Sequence, residues 1–563
     1  MPDTRQTLAT GMSGTVSSEG APSGTRRFSP YLLLIFACLA SAVPMLYLGA
    51  TQFVEYDGYW HVFIAQQDNF KAFWWEYMHN DHPLLFYLLL KVLVTVGRAV
   101  LLYRAIPILS GLGSVYVVGR IMQKVSSSAV APPLTALAFG LAMPTVEIAI
   151  SVRSYMLSTL FIVLSFYYFL DLLPAAEVRG MRKSRCRFAG FAILAVCSHY
   201  YAFFYIGGCA LLLIGFCAAH RRLPRRMWLA HGLTFLPVIA VMAALYYTHI
   251  RFNTTNLNHV SGYLGAAGEP RIKFLLRNLH SLFNLFSPWQ IVSRGVFEKI
   301  AAGLVIIVIA TAALARRHAL APVFLLCIIL GELAVAGSFG KYPFGGLLRQ
   351  QFILFPFLVM TAGICLDRWF AAMRRPRWMW GLAAIAAGGI VAISVSRFEE
   401  YPKRSEELFT REMRLFDAAI PAPAAVYVDQ FNLIGFFTHY HKWHWHFMRK
   451  LPMQTAVDEY ALTKGSRHME LLRDKLRWNL DFSEPGLYRD LAEAIRSAKL
   501  DSLAVFCVEQ IPAPLTPAQQ DDFQQKAFAL AGTQHLQIRK FIPDGANIYA
   551  EFALESQPQA ALR

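Results

Sequence analysis

Residues 55–90 read EYDGYWHVFIAQQDNFKAFWWEYMHNDHPLLFYLLL. Glu55, Asp57, His61, Asp68, Glu76, His79, Asp81 and His82 stand here among Tyr, Trp and Phe, directly after a long apolar run. Titratable groups at a membrane surface are costly unless they pair, meet water or do chemistry. The chain around this stretch decides which applies. Its 563 residues are 56% hydrophobic and 16% charged, against about 25% charged in an ordinary soluble protein. It reads as an α-helical polytopic membrane protein. The formal charge of +17 does not point to nucleic acid. Its basic residues fall in short clusters between apolar segments, the pattern of cytoplasmic loops lying against anionic lipid.

Residues 1–29, rich in Ser, Thr and Gly, read as a disordered cytoplasmic tail. Tyr31–Ala50 is long enough to span a membrane, and the apolar run continues past Ala40-Ser41-Ala42. An uncleaved first helix is therefore expected rather than a signal peptide. Residues 83–97 are apolar but short, and Lys91 interrupts them, which predicts a helix in the membrane surface. Spans are then expected over 102–121, 130–150, 154–172, 188–201, 203–219, 228–248, 297–315, 319–338, 351–370 and 378–396, about 11 with the first. With this count the clusters around Arg120, Arg179–Arg187, Arg221–Arg226, Arg316-Arg317 and Arg374–Arg377 all fall on one side, the cytoplasmic one.

Three regions follow: the tail 1–29, a transmembrane domain 30–396 carrying an outer loop 51–101, and a soluble extracytoplasmic α/β domain 397–563. In the last, Ala424–Val428 and Ser502–Val508 read as buried strands, Asp417–Pro423 as a turn, and Lys464–Lys475 and Leu487–Lys499 as helices. Loop 249–296 contains KFLLRNLHSLFNLF, apolar at helical spacing, which predicts a helix lying on the membrane. The cysteines show neither a disulfide framework nor zinc spacing.

Five groups are candidates for chemistry. Asp57, just past the first helix, suits a general base or a metal ligand, or a solvated acid orienting a helix N-terminus. His79-Asn80-Asp81-His82-Pro83, with Glu55, Asp57 and His61, offers ligands for a divalent cation; it also fits a hydrogen-bonded turn into the surface helix. The metal candidates are Asp57, His79 and His82. Arg153, beside Tyr155 at a predicted outer boundary, suits a bidentate phosphate clamp, or a pair with Glu147. Lys341-Tyr342-Pro343-Phe344-Gly345-Gly346 with Arg349 places cations on the outer side against the positive-inside trend, as for an anionic ligand such as a lipid phosphate; a plain tight turn is the other reading. His439, His441, His444 and His446 read as an aromatic strand and loop before they read as a metal site.

Taken in order, Asp57, His82-Pro83, Arg153-x-Tyr155 and Tyr342–Gly346 with Arg349 resemble the motifs of the GT-C superfamily of membrane glycosyltransferases. The resemblance covers about residues 30–396 and is to bacterial proteins similar to the dolichyl-phosphate-mannose protein mannosyltransferase and aminoarabinose transferase group, family 39-like. Two positions depart from it. Gly58 stands where Glu often follows the Asp, and Ser151 where an acid often precedes the Arg, leaving Glu147 as the candidate second carboxylate. The resemblance implies a sugar moved from a polyprenyl-phosphate donor to a lipid, glycan or protein hydroxyl at the outer face of a bacterial inner membrane. It assigns Asp57 and Glu147 to catalysis, Arg153, Tyr155, Lys341, Tyr342 and Arg349 to the donor phosphate, and His61 and His82 to the acceptor or to loop organisation. No cofactor is certain, and a divalent cation is left open. The competing class is a polytopic transporter or lipid flippase, which predicts ionisable residues within spans; Glu332 is the clearest such residue.

Overall fold

The computed structural model describes residues 30–173, 181–219, 225–253, 269–286, 320–373, 376–398, 409–421, 423–450, 457–508, 516–544 and 547–555. The expected tail 1–29, the expected span 297–315 and several of the basic clusters lie outside them.

The first helix, α1 (Pro30–Thr51), is apolar along its whole length. The chain then turns into three short helices, α2 (Tyr56–Gln66), α3 (Phe70–Met78) and α4 (Leu84–Val96). α4 has 13 residues, too few to span. Its lysine is not an interruption. Lys91 Nζ donates to Gln67 O at 2.6 Å and Ala65 O at 3.4 Å, the carbonyls that end α2. Arg104 does the same for α1, donating to Gly49 O and Gln52 O at 2.6 Å and to Phe53 O.

Seven helices among the described residues are long and apolar enough to cross a membrane: Tyr31–Thr51, Ala105–Val125, Tyr155–Leu172, Trp228–Ile250, Ala321–Ser338, Leu348–Ala372 and Arg377–Ser396. The expected span 130–150 is instead two helices, Ala131–Leu141 and Met143–Ile150, bent by 55°. Pro144 lies in the first turn of the second, where its missing N–H costs nothing and its ring favours a break before it. Ala202–Ala218 is apolar but shorter. Small residues let these helices meet: a side chain at Gly140 would collide with Ser41 on α1. The helix expected on the membrane surface runs over Arg271–Phe286, with Phe274, Leu282 and Phe286 buried and Arg271, Lys273 and Arg277 exposed.

The C-terminal part is a seven-stranded sheet. β1 (Ala425–Val428), β2 (His444–Lys450), β3 (Val457–Lys464), β4 (Arg467–Asp474), β5 (Leu503–Cys507), β6 (Leu536–Asp544) and β7 (Asn547–Leu554) stand in the order β2-β3-β4-β1-β5-β7-β6. β1 runs parallel to β4 and β5; the other pairs are antiparallel. Helices Pro485–Ala498 and Pro517–Gly532 belong to this layer. The expected helix 464–475 is therefore a strand, since 467–474 pairs along both edges. The sheet layer packs directly on the first loop. Tyr59 and Phe63 of α2 contact Phe437, Phe63 also meets Trp445 and Tyr460, and Tyr56 OH donates to Phe431 O at 3.2 Å.

Candidate active site

Asp57 lies in the first turn of α2, where the helix dipole favours a carboxylate. Two guanidiniums reach it. Arg153, from the link between Met143–Ile150 and Tyr155–Phe169, pairs with Asp57 Oδ2. Arg349, from a short helical turn at Leu348–Gln351, brings Nη1 to the same oxygen at 2.9 Å. Three segments distant in sequence thus converge on one carboxylate. Asp57 keeps 36% of its side chain exposed and Arg349 33%, whereas Arg153 keeps 6%. Burial, with Arg349 adding to it, draws the Arg153 guanidinium down to about 10, against the opposing pull of Tyr155 and Glu55.

Glu55, which the sequence offers only as a possible cation ligand, has a different task here. Its Oε1 accepts from Ser151 Oγ at 2.5 Å and from Val152 N at 3.1 Å, and lies 3.9 Å from Arg153 Nε. This explains both departures noted above. Ser151 meets a carboxylate supplied by Glu55 instead of being one. Gly58 leaves room for that carboxylate, because a Cβ there would lie 2.9 Å from Glu55 Cδ. Glu147 is exposed and is not an ion-pair partner of Arg153, so the alternative Arg153–Glu147 pair is replaced by Arg153 with Asp57 and Glu55.

The Tyr342–Gly346 turn positions Arg349. Tyr342 OH donates to Gln350 O at 3.0 Å, and Gln351 Nε2 donates to Pro343 O at 2.7 Å. Gly345 has φ +69°, and any side chain there would strike the Asn278 carbonyl on helix Arg271–Phe286. Lys341 is exposed and makes no ion pair among the described residues.

Under Asp57 lies a wall of imidazoles and phenols. His61, one turn along α2, donates from Nδ1 to Asp57 O at 2.6 Å and stacks on Tyr87 with ring centres 5.1 Å apart. The His82 ring centre lies 5.1 Å from that of His61 and 5.0 Å from that of His199, which in turn meets Tyr155 at a tilt with centres 4.3 Å apart. Burial drives His61 down to about 3, with Glu55 opposing, and pushes His82 well below its usual value, so both rings are neutral near pH 7. His61 Nε2, His82 Nδ1 and His199 Nε2 are buried without a hydrogen-bond partner among the described residues. His199 and Tyr87 sit in apolar runs and gave no signal of their own.

The metal candidates do not come together. His79 is exposed with Nδ1 at Trp75 O, Asp57 faces two guanidiniums, and His82 faces His61 and His199. Among the described residues no three His, Cys, Asp or Glu side chains form a metal-ligating group. Of the histidine run, His439 ends a helix, His441 is buried, and His444 and His446 lie on β2, where His446 meets Asp68 at 2.8 Å.

No protein-family model and no curated protein sequence matches the chain. Among solved structures it is similar to ArnT from Cupriavidus metallidurans in the apo state, with TM-score 0.53 and 13% identity over 92% of this chain and 97% of that one. The structure of the same protein bound to undecaprenyl phosphate gives TM-score 0.52 and 13% identity over the same shares. The chain thus has the GT-C fold, a helical membrane domain joined to a C-terminal sheet domain.

Proposed function

We propose that the protein is a membrane glycosyltransferase moving a sugar from a polyprenyl-phosphate donor to an acceptor hydroxyl at the outer face of the membrane. The observation that supports this most is the meeting of Asp57 with Arg153 and Arg349. Two guanidiniums gathered on one carboxylate just past the first spanning helix suit an anionic lipid headgroup. The arriving phosphate takes the guanidiniums as its partners. Asp57 is then released to accept the acceptor hydroxyl proton. The acceptor oxygen bonds to the sugar's anomeric carbon as the bond to phosphate breaks. The polyprenyl phosphate leaves with the electron pair, its developing charge met by Arg153 and Arg349. Glu55 holds the Ser151–Val152 link from which Arg153 projects. ArnT bound to undecaprenyl phosphate, a protein of the same fold, makes a polyprenyl phosphate the first ligand to test. The basic clusters support an orientation with the N-terminus cytoplasmic and the C-terminal domain outside; placement in a bacterial inner membrane rests on the family resemblance.

The test is transfer from radiolabelled polyprenyl-phosphate sugars to a mixed membrane extract by the protein in lipid, with and without chelator. Asp57→Asn is expected to lower transfer by about 10²–10⁴-fold at unchanged membrane levels. Full transfer by that variant would remove Asp57 as base. Lipid movement without transfer would favour a flippase instead, a reading that Glu332, packed against Gly207 within a spanning helix, supports.

A further inference from the structure

The first loop's aromatic residues divide into three environments. Tyr59 is fully buried against Phe437, Trp74 is exposed, and Trp60 and Trp75 form walls of a cavity of about 210 Å³ between the loop and the sheet. At ~30 Å³ per liquid water, this space holds about seven waters. Glu76, Gln430, Arg473 and Lys475 complete most of its lining, and it opens beside the exposed His79 and Leu476.

The chemistry of this lining selects its occupant. Lys475 pairs with Asp458 at 3.1 Å and lies 4.4 Å over the Trp75 ring. An ammonium has three donors, and one carboxylate does not use them all. Arg473 pairs with Glu76 at 2.7 Å, and its Nε, buried, has no hydrogen-bond partner among the described residues. Two acids thus offset two cations, so the site exerts no net pull on a charged ligand. An acyl chain would leave these polar groups unmet, at a cost. A pyranose ring matches both features: hydroxyls for the polar atoms and a C–H face for the indoles.

The position of the cavity says which sugar. Trp60 and Asp57 are three residues apart on one helix, hence neighbours on one face. The guanidiniums reach Asp57 from the membrane helices, whereas the cavity is closed by Gln430, Arg473 and Lys475 of the C-terminal domain. We infer that this cavity is a carbohydrate subsite that holds a sugar ring of the acceptor, placing its hydroxyl toward Asp57. The word acceptor rests on the proposed transferase function; the sugar site does not.

The full-length protein in lipid nanodiscs is titrated with a panel of methyl hexopyranosides and methyl N-acetylhexosaminides, read by tryptophan fluorescence and calorimetry. Saturable binding is expected, weakened at least about tenfold in Trp75→Ala, largely restored in Trp75→Tyr, and unchanged in Trp74→Ala. In transfer assays Trp75→Ala is expected to raise KM for the acceptor while leaving kcat and the donor KM alone. No saturable binding by any glycoside, equal binding by Trp75→Ala, or a raised donor KM overturns the inference. Trp75-dependent binding in a protein that transfers nothing removes the transferase and leaves the sugar site. Transfer without glycoside binding removes the sugar site alone.

Discussion

The Glu76–Arg473 pair joins the first loop to the sheet, and its removal is calculable. Both side chains are 2% exposed. Arg473 Nη1 donates to Glu76 Oε1 at 2.7 Å, Tyr460 OH donates to the same oxygen at 3.1 Å, and Arg473 Nη2 donates to Gln430 Oε1 at 2.7 Å. Burial works against the charged carboxyl, but Arg473 and Lys475 outweigh it and hold Glu76 below the usual carboxylate range. Glu76→Gln keeps the shape and an acceptor for Tyr460 but leaves a guanidinium buried without its counter-charge. Arg473→Met keeps the bulk and leaves the carboxylate alone. Each single change is expected to cost about 3–5 kcal/mol. At roughly 2–4 °C per kcal/mol for a unit of this size, the C-terminal domain should melt about 6–20 °C lower. The double variant buries no unpaired charge and should recover about 2–3 kcal/mol relative to the sum. Thermal unfolding of the nanodisc protein, followed by limited proteolysis of the domain, reads all four corners of the cycle. Single variants melting within about 2 °C of wild type, or a double variant as costly as the sum, would refute the reasoning.

Three further outcomes follow from the site. His61 is neutral when folded down to about pH 3 but titrates near 6.5 when unfolded, so the unfolded state binds more protons between these values. Stability should fall as pH drops below about 6.5, by about 2 kcal/mol at pH 5, and His61→Phe should flatten that slope in a pH series of melts. Gly345→Ala must adopt a left-handed backbone and strike Asn278, costing about 1–2 kcal/mol or more; lowered melting and lost transfer should appear together because Arg349 follows that turn. Glu55→Gln removes a charge from beside Arg153 but keeps an acceptor for Ser151 and Val152, so transfer should drop about tenfold with little change in melting, whereas Glu55→Ala should lose both.

Much of the membrane architecture was legible because lipid tolerates few solutions: long apolar runs must be helices. The surface helix Arg271–Phe286 announced itself by spacing, and β1 and β5 by short apolar runs. The failures have physical causes. RHMELLRD reads as helix because Met, Glu, Leu and Arg favour helices, yet it is β4, with buried Arg473 and Asp474 matched by charges elsewhere. The 130–150 run concealed a break that Pro144 alone hinted at. Asp57, Arg153 and Arg349 each stood out as charges at apolar boundaries, but nothing local says that they meet. Glu55 read as a possible cation ligand, not as the partner of Ser151 and Val152; the small residue at Gly58 is the signal that its carboxyl has a place to fold back.

The loop–sheet contact also sets an order of assembly. Glu76 and Arg473 are 397 residues apart, and Glu76 and Tyr460 are 384 apart. A ribosome delivers α2 and α3 to the membrane long before it makes their partners. Until then Tyr59, Phe63 and Glu76 lack the surfaces that bury them in the finished protein. The cavity and the final placement of α2 are thus the last parts to form, however early their own residues are translated. A chain stopped after Phe398 would insert its helices and leave that aromatic face uncovered. Quality-control proteases would meet an inserted but unfinished protein, marked by its own first loop.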